Sequence, residues 1–259
     1  MSTADLISSA HRVLVKVGSS SITGDQEANL DLIVDFTVDL KKLGKEVIIV
    51  SSGAIATAAP LLGLTIRSDD LPTSQALASI GQAKLMGRYE KSLARHALIP
   101  GQILLTVENL DQDQSSLNAL KAIERLLELG VVPIINENDS VATHEIRFGD
   151  NDQLAARVST LARTDLMILL SDIDGLYTKP PQDQGAEHIS TVEFGDSLNS
   201  IEVSGTSTGY GTGGALTKLA AARLATIGGV GVVLTSTANV VELLSGDCKH
   251  TWFEPSSRP

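Results

Sequence analysis

The chain has 259 residues, 31 acidic side chains against 20 basic ones, a net charge of −11, 42% apolar residues and 3% aromatic ones. That length suits one large domain or two small ones and can bury a real core, and the apolar content excludes intrinsic disorder. The acidic balance argues against nucleic acid as a partner, because affinity there comes from Lys and Arg on phosphates. A single cysteine, Cys248, excludes an internal disulfide framework and any Cys-x-x-Cys metal site. Apolar runs such as residues 47–50 fall far short of the ~18–20 residues of a membrane span. Residues 1–5 hold neither a basic region nor an apolar signal core, which reads as a cytoplasmic protein.

In chain order, apolar runs at 13–17, 47–50, 103–105, 131–135, 166–170 and 230–234 each predict a buried strand. Between the first two, Leu30, Ile33, Val34 and Val38 keep helical spacing until Gly44. Leu117, Leu120, Ile123 and Leu127 mark a second helix that Gly130 stops, and residues 153–163 and 219–225 read as further helices. This alternation predicts a mainly parallel sheet with helices on both faces. Residues 177–214 differ. Pro180, Pro181, many Ser and Thr, and Gly205, Gly209, Gly211, Gly213 and Gly214 predict a mobile loop or hairpin excursion over the sheet edge, with a domain linker as the alternative.

Ligands of an open parallel sheet sit at the carboxyl ends of its strands. There the sequence places Gly18-Ser19-Ser20-Ser21, Ser51-Ser52-Gly53-Ala54, Asn136-Glu137-Asn138-Asp139, and Ser171-Asp172 followed by Asp174-Gly175. Any one of these is an ordinary turn composition; four on one edge predict a single cleft. Gly18 and Gly53 let a ligand's oxygens approach backbone N–H groups, and helices beginning near Ser21 and Gly53 would add positive potential, simple serine N-capping being the plainer reading.

Lys16 lies inside an otherwise apolar strand, where an unpartnered ammonium is costly. It either snorkels from an edge strand or reaches the strand end and faces an anion. Lys218 follows Gly211-Thr212-Gly213-Gly214 and enters a strong helix former, an arrangement suited to phosphate although not a Walker A sequence. Arg147, Phe148, Gly149, Asp150, Asn151 and Asp152 form either a solvated loop or more of the cleft. Three further matches lack their structural context. These are a dinucleotide pattern at Gly209, Gly211 and Gly214 with no strand before it, a nucleophile elbow at 205–209 with Asp247 and His250, and a zinc-protease start at His144-Glu145 with no second histidine.

Two lysines, glycine-rich loops and several carboxylates, with no nucleophile–histidine pair, suit phosphoryl transfer between anions, which needs charge neutralisation and in-line positioning. A carboxylate between the lysines would hold them: unit charges ~4 Å apart are worth about 4 kcal/mol at an effective dielectric near 20. The extra acids fit an acceptor that carries an ammonium group, with Asp139 and its neighbours receiving it.

The segments Val15-Lys16-Val17-Gly18-Ser19-Ser20, Val50-Ser51-Ser52-Gly53-Ala54-Ile55, Pro133-Ile134-Ile135-Asn136-Glu137-Asn138-Asp139, Phe148-Gly149-Asp150-Asn151-Asp152 and Gly211-Thr212-Gly213-Gly214 together resemble the amino acid kinase superfamily. The resemblance spans residues 13 to about 234, and the Asn-Glu-Asn-Asp and Gly-Asp-Asn-Asp segments are similar to those of its glutamate-phosphorylating members. It implies an α/β fold, a three-layer αβα sandwich around a central, mainly parallel sheet, and ATP-dependent phosphorylation of the γ-carboxylate of L-glutamate to γ-glutamyl phosphate, the first step of proline synthesis, with proline as inhibitor. By matching positions, Lys16 and Lys218 would stabilise the transferring phosphoryl group and Asp152 would orient them. Ser52, Gly53, Asp139, Asp150 and Asn151 would bind glutamate; Lys16, Ser171, Asp172, Thr212, Gly213, Gly214 and Lys218 would bind the nucleotide. Mg2+ would ride on the ATP phosphates, with no protein metal site. Members are usually homo-oligomers, so a dimer or tetramer is expected. Many carry a C-terminal domain of the PUA type, whereas this sequence is expected to be one domain over 1–259. Ala215 and Ser171 stand where methionine and threonine are common. Acetylglutamate, aspartate or UMP kinase activity, or a non-catalytic amino-acid sensor, are the alternatives on the same fold.

Overall fold

A computed structural model describes residues 1–65, 70–141, 150–196, 215–246 and 248–257. In chain order its elements are α1 (Thr3–Ser9), β1 (Arg12–Val17), α2 (Asn29–Lys42), β2 (Glu46–Ser51), α3 (Ala54–Ala58), α4 (Leu71–Ala94), β3 (Pro100–Leu105), α5 (Val107–Asp111), α6 (Asp113–Glu128), β4 (Val132–Glu137), α7 (Asp150–Leu161), β5 (Leu166–Ser171), β6 (Leu176–Tyr177), β7 (His188–Ile189), β8 (Thr191–Val192), α8 (Ala215–Ile227), β9 (Gly231–Ser236) and β10 (Thr251–Phe253). Each of the six apolar runs folds as a strand.

The main sheet has the order β3-β4-β2-β1-β5-β9-β10-β8. Its first six strands are parallel neighbours, and β10 runs antiparallel to β9. The carboxyl ends of β4, β2, β1 and β5 therefore lie side by side, as the cleft reading requires. Successive side chains of a strand point to opposite faces. Val13, Val15 and Val17 join a core with α1, α2 and α4, while Leu14 joins one with α6, α7 and α8. These two cores make the three-layer sandwich. Gly44 and Gly130 turn at φ +76° just past α2 and α6, the left-handed stop that glycine takes without strain.

Several expectations are corrected. Strand β3 is an edge strand, half exposed rather than buried, because nothing pairs beyond it among the described residues. On α6 the buried positions are Ala119 and Ile123, and Leu117 faces out. Residues 19–21 form one turn of 3-10 helix, so no α-helix begins near Ser21, whereas α3 does begin at Ala54 with Gly53 as its N-cap and is five residues long. Helix α7 starts at Asp150, three residues before its expected start. The β6–β7 hairpin and β8 occupy the first part of the 177–214 excursion. Residues 197–214 lie outside the described residues, as do 142–149 and Asp247. No helix of the described residues is long and apolar enough to cross a membrane.

Candidate active site

Lys16 shares the face of Leu14, the face covered by α7 and α8, and sits in β1 opposite Val50 and Leu169. With β2 and β5 paired on either side, it cannot snorkel from an edge. Its ammonium meets Asp152, in the first turn of α7, as an ion pair between Nζ and Oδ1. Lys218, in the first turn of α8, places Nζ 3.6 Å from Asp152 Oδ2, and the Thr217 hydroxyl donates to the same oxygen at 3.3 Å. All three charged residues are buried: Lys16 is 5%, Asp152 0% and Lys218 8% exposed.

Burial alone would push the Asp152 carboxyl up, but the Lys16 and Lys218 ammonium groups, with hydrogen bonds from Lys16 and Thr217, hold it below the usual carboxylate value. At Lys218 the balance goes the other way. Burial, joined by repulsion from Lys16, outweighs the attraction of Asp152 and Asp172 and lowers its pKa from that of a free lysine. With all three ionised the cluster carries one net positive charge in a buried site, which is what an anion arriving at this edge would neutralise.

Around the cluster, a Cβ on Gly18 would lie 3.8 Å from Lys16 Nζ and 3.7 Å from Ser21 Oγ, so the Gly18 backbone runs directly beside the ammonium. Ser52 N–H donates to the Val17 carbonyl at 2.9 Å, tying the end of β2 to that of β1. Gly53 follows at φ +106°, a conformation a β-carbon would strain. At the end of β5, the buried Ser171 hydroxyl donates to Asp172 Oδ1 at 2.9 Å. The Thr237 hydroxyl bonds both Ser21 Oγ at 2.8 Å and the Ser171 carbonyl at 3.1 Å, fastening the loops after β1 and β5 together.

At the end of β4, Glu137 N–H donates to Asn136 Oδ1 at 2.9 Å and to Asn151 Oδ1 at 3.3 Å. Asn151 Nδ2 donates to Asn136 Oδ1 at 3.2 Å. Asp139 lies in a 3-10 turn that packs on α4. Asp150 opens α7, but its side chain, like all of Thr212, Gly213 and Gly214, lies outside the described residues.

The structure thus brings together Lys16, Asp152 and Lys218, with Asn151, Ser52, Gly53, Ser171 and Asp172 on the same edge. Sequence reading overlooked helix α4. The Tyr89 hydroxyl there donates to Ser51 Oγ at 2.9 Å, and burial pushes its pKa to about 12. Gln82 accepts from Asn136 Nδ2 at 2.6 Å. A Cβ on Gly81 would overlap the Ala54 carbonyl. A glycine inside a helix is the one sequence signal of such close approach. Among the described residues, no three His, Cys, Asp or Glu side chains gather as a metal site.

The amino acid kinase family model matches residues 11–236, and the chain belongs to that family. More particularly, it is similar to glutamate 5-kinases. That of Clavibacter michiganensis subsp. michiganensis is 54% identical over 96% of each chain. That of Leifsonia xyli subsp. xyli is 52% identical over 96% of this chain and 93% of its own. That of Salinispora arenicola is 48% identical over 98% of this chain and 70% of its own. Among solved structures, carbamate kinase from Giardia lamblia bound to AMP-PNP superposes with a TM-score of 0.67 at 12% identity, covering 96% of this chain and 100% of that one. UMP kinase from Ureaplasma parvum gives 0.63 at 14% identity, covering 94% and 98%. These two share the fold.

Proposed function

We propose that the chain transfers the γ-phosphoryl group of ATP to the γ-carboxylate of L-glutamate, giving γ-glutamyl phosphate and ADP. The observation that carries this reading is the buried Lys16–Asp152–Lys218 cluster at the carboxyl edge of the sheet, in a chain 54% identical to a glutamate 5-kinase. In the transfer, a γ-carboxylate oxygen attacks the terminal phosphorus, a new P–O bond forms, and the bond to ADP breaks in line with it. The nucleophile is already an anion, so no base is needed. The charge to be managed sits on the phosphoryl oxygens. Lys16 and Lys218 approach from β1 and α8 and neutralise it, while Asp152 keeps the two ammonium groups from drifting apart.

Ser52, Gly53, Asp150 and Asn151 receive the acceptor amino acid, with Asp139 taking its ammonium. Ser171, Asp172 and the 212–214 loop receive the nucleotide. The Asp152 carboxylate is already taken up by two ammonium groups and a hydroxyl. The residues present therefore suit Mg2+ that enters on the ATP phosphates and lends them charge neutralisation. Proline inhibition and a homo-oligomeric state belong to the same reading and rest on the family resemblance.

The test is ADP release in hydroxylamine with L-glutamate as sole acceptor, and N-acetylglutamate, aspartate and UMP as controls. Glutamate-dependent hydroxamate is the expected result. Turnover with a control acceptor and none with glutamate would show that the acidic cluster reads another substrate. Glutamate binding with no turnover on any acceptor would favour a sensor. Within this reading, Asp139→Ala raises KM for glutamate by about 10–100-fold, the loss expected for one charged hydrogen bond, and leaves KM for ATP unchanged. Steady-state kinetics in both substrates check this, and equal rises would reject the ammonium assignment.

A further inference from the structure

The amide groups at the end of β4 have one self-consistent polarity. A backbone N–H only donates, so the Glu137 N–H fixes Asn136 Oδ1 and Asn151 Oδ1 as acceptors. Asn151 Nδ2 then donates to Asn136 Oδ1, and Asn136 Nδ2 must face the other way. What it meets is Gln82 Oε1 on α4, at 2.6 Å. Asn136 is 1% exposed, so its amide has no water to turn toward. If Gln82 withdrew its oxygen, the Asn136 amide could rotate and present Nδ2 to Asn151 and to the Glu137 N–H, breaking both bonds.

Helix α4 is well placed to hold that oxygen still. Gly81, the residue before Gln82, lets α4 press against the backbone of Ala54. Two turns further on, Tyr89 reaches the Ser51 hydroxyl, which in turn donates to the Ser52 carbonyl at 3.0 Å. One helix thus fixes the ends of both β2 and β4, the two strands that carry the proposed acceptor residues.

We infer that Gln82 is a positioning residue for the acceptor amino acid. It acts through Asn136 to hold the Asn151 amide in its binding orientation. This rests on the proposed glutamate kinase reading and adds a residue to it.

The experiment compares wild type, Gln82→Met, Asn136→Ala and the double variant. Thermal melting establishes that each is folded. Gln82→Met is expected to raise KM for glutamate about tenfold, the effect of one net hydrogen bond, with kcat and KM for ATP within about twofold of wild type. In the Asn136→Ala background, Gln82→Met adds nothing further. An unchanged KM for glutamate, a parallel rise in both KM values, or a second full tenfold rise on top of Asn136→Ala would each overturn the inference. The Asn136 side-chain NH2, identified in 15N-labelled protein by its loss in Asn136→Ala, is expected to exchange measurably faster in Gln82→Met than in wild type. Equal exchange in the two would overturn the inference as well. This last readout needs no activity. If wild type makes no hydroxamate from glutamate, the function proposal fails while the Gln82–Asn136 link is still decided.

Discussion

Asp152→Asn is expected to destabilise the protein by about 3–5 kcal/mol, as breaking a buried ion pair from one side does, and to cut kcat by about 10²–10³. The side chain keeps its shape and an oxygen for Thr217 or one lysine. It loses the charge that allows Lys16 and Lys218 to lie together at 5% and 8% exposure. Two buried ammonium groups then lie together, with Asp172 as the remaining carboxylate that attracts Lys218. At about 2–4 °C per kcal/mol for a chain of this size, the melting temperature at pH 7 falls by roughly 10 °C. The pH dependence has a definite sign. The folded pKa of Asp152 is depressed. Its contribution is therefore fully present above the unfolded value near ~3.9 and is lost as pH falls through the lower folded value. The gap between wild type and Asp152→Asn is wide at pH 7, narrows as pH falls below about 4 and closes only below the lower folded value. Melting curves at both pH values check this, and equal stabilities at pH 7 would show that Asp152 does not balance the lysines.

The parallel strands were legible because both of their faces are buried, so that each reads as an unbroken apolar run. That same feature hides position within the sheet. Residues 103–105 look as apolar as residues 166–170, yet β3 lies at the edge and β5 near the centre. On α6, leucines drew the predicted stripe, while Ala119, one of the two buried positions, is too small to be noticed. Lys16 was legible because an ammonium in an apolar strand demands a partner, but nothing near it in sequence names Asp152. That pairing came only from the family resemblance and from the folded contact.

Helix α4 was not legible as part of the site. Its buried line of Ser74, Leu77, Ala78, Gly81, Leu85, Tyr89, Ser92 and Leu93 mixes small and polar residues, so its periodicity is faint. Gln82 and Tyr89 meet Asn136 and Ser51, partners 54 and 38 residues away. No local motif announces a contact of that kind. The chemistry-bearing groups stand at strand ends and in the first turns of α7 and α8, which face the same edge. The groups that orient them stand on a helix in the layer behind.

Lys218→Met is expected to separate activity from stability. Loss of one transition-state cation lowers kcat by about 10²–10³, while the melting temperature stays level or rises. The reason lies in the direction of the Lys218 shift. Its pKa is lowered, so the fold as a whole disfavours its charge, with the attraction to Asp152 already counted. Methionine fills much of the same space without that burden, and Asp152 keeps Lys16. By linkage, the folded state binds the Lys218 proton less tightly than the unfolded chain. Wild-type stability therefore gains as pH rises through the window between the lowered folded pKa and ~10.4, and Lys218→Met lacks this gain. The same lowered pKa brings the alkaline fall of wild-type kcat/KM, which reports the free enzyme, to a pH below that of a free lysine. Calorimetry at pH 7 and 10 with a pH–rate profile checks all three consequences. A melting temperature several degrees below wild type would mean that the pair with Asp152 stabilises more than burial of Lys218 costs. Unimpaired turnover would remove Lys218 from the transfer step. If both expectations hold, the same ammonium that weakens the fold is the one the reaction requires, and Asp152→Asn combined with Lys218→Met recovers part of the stability lost by Asp152→Asn alone.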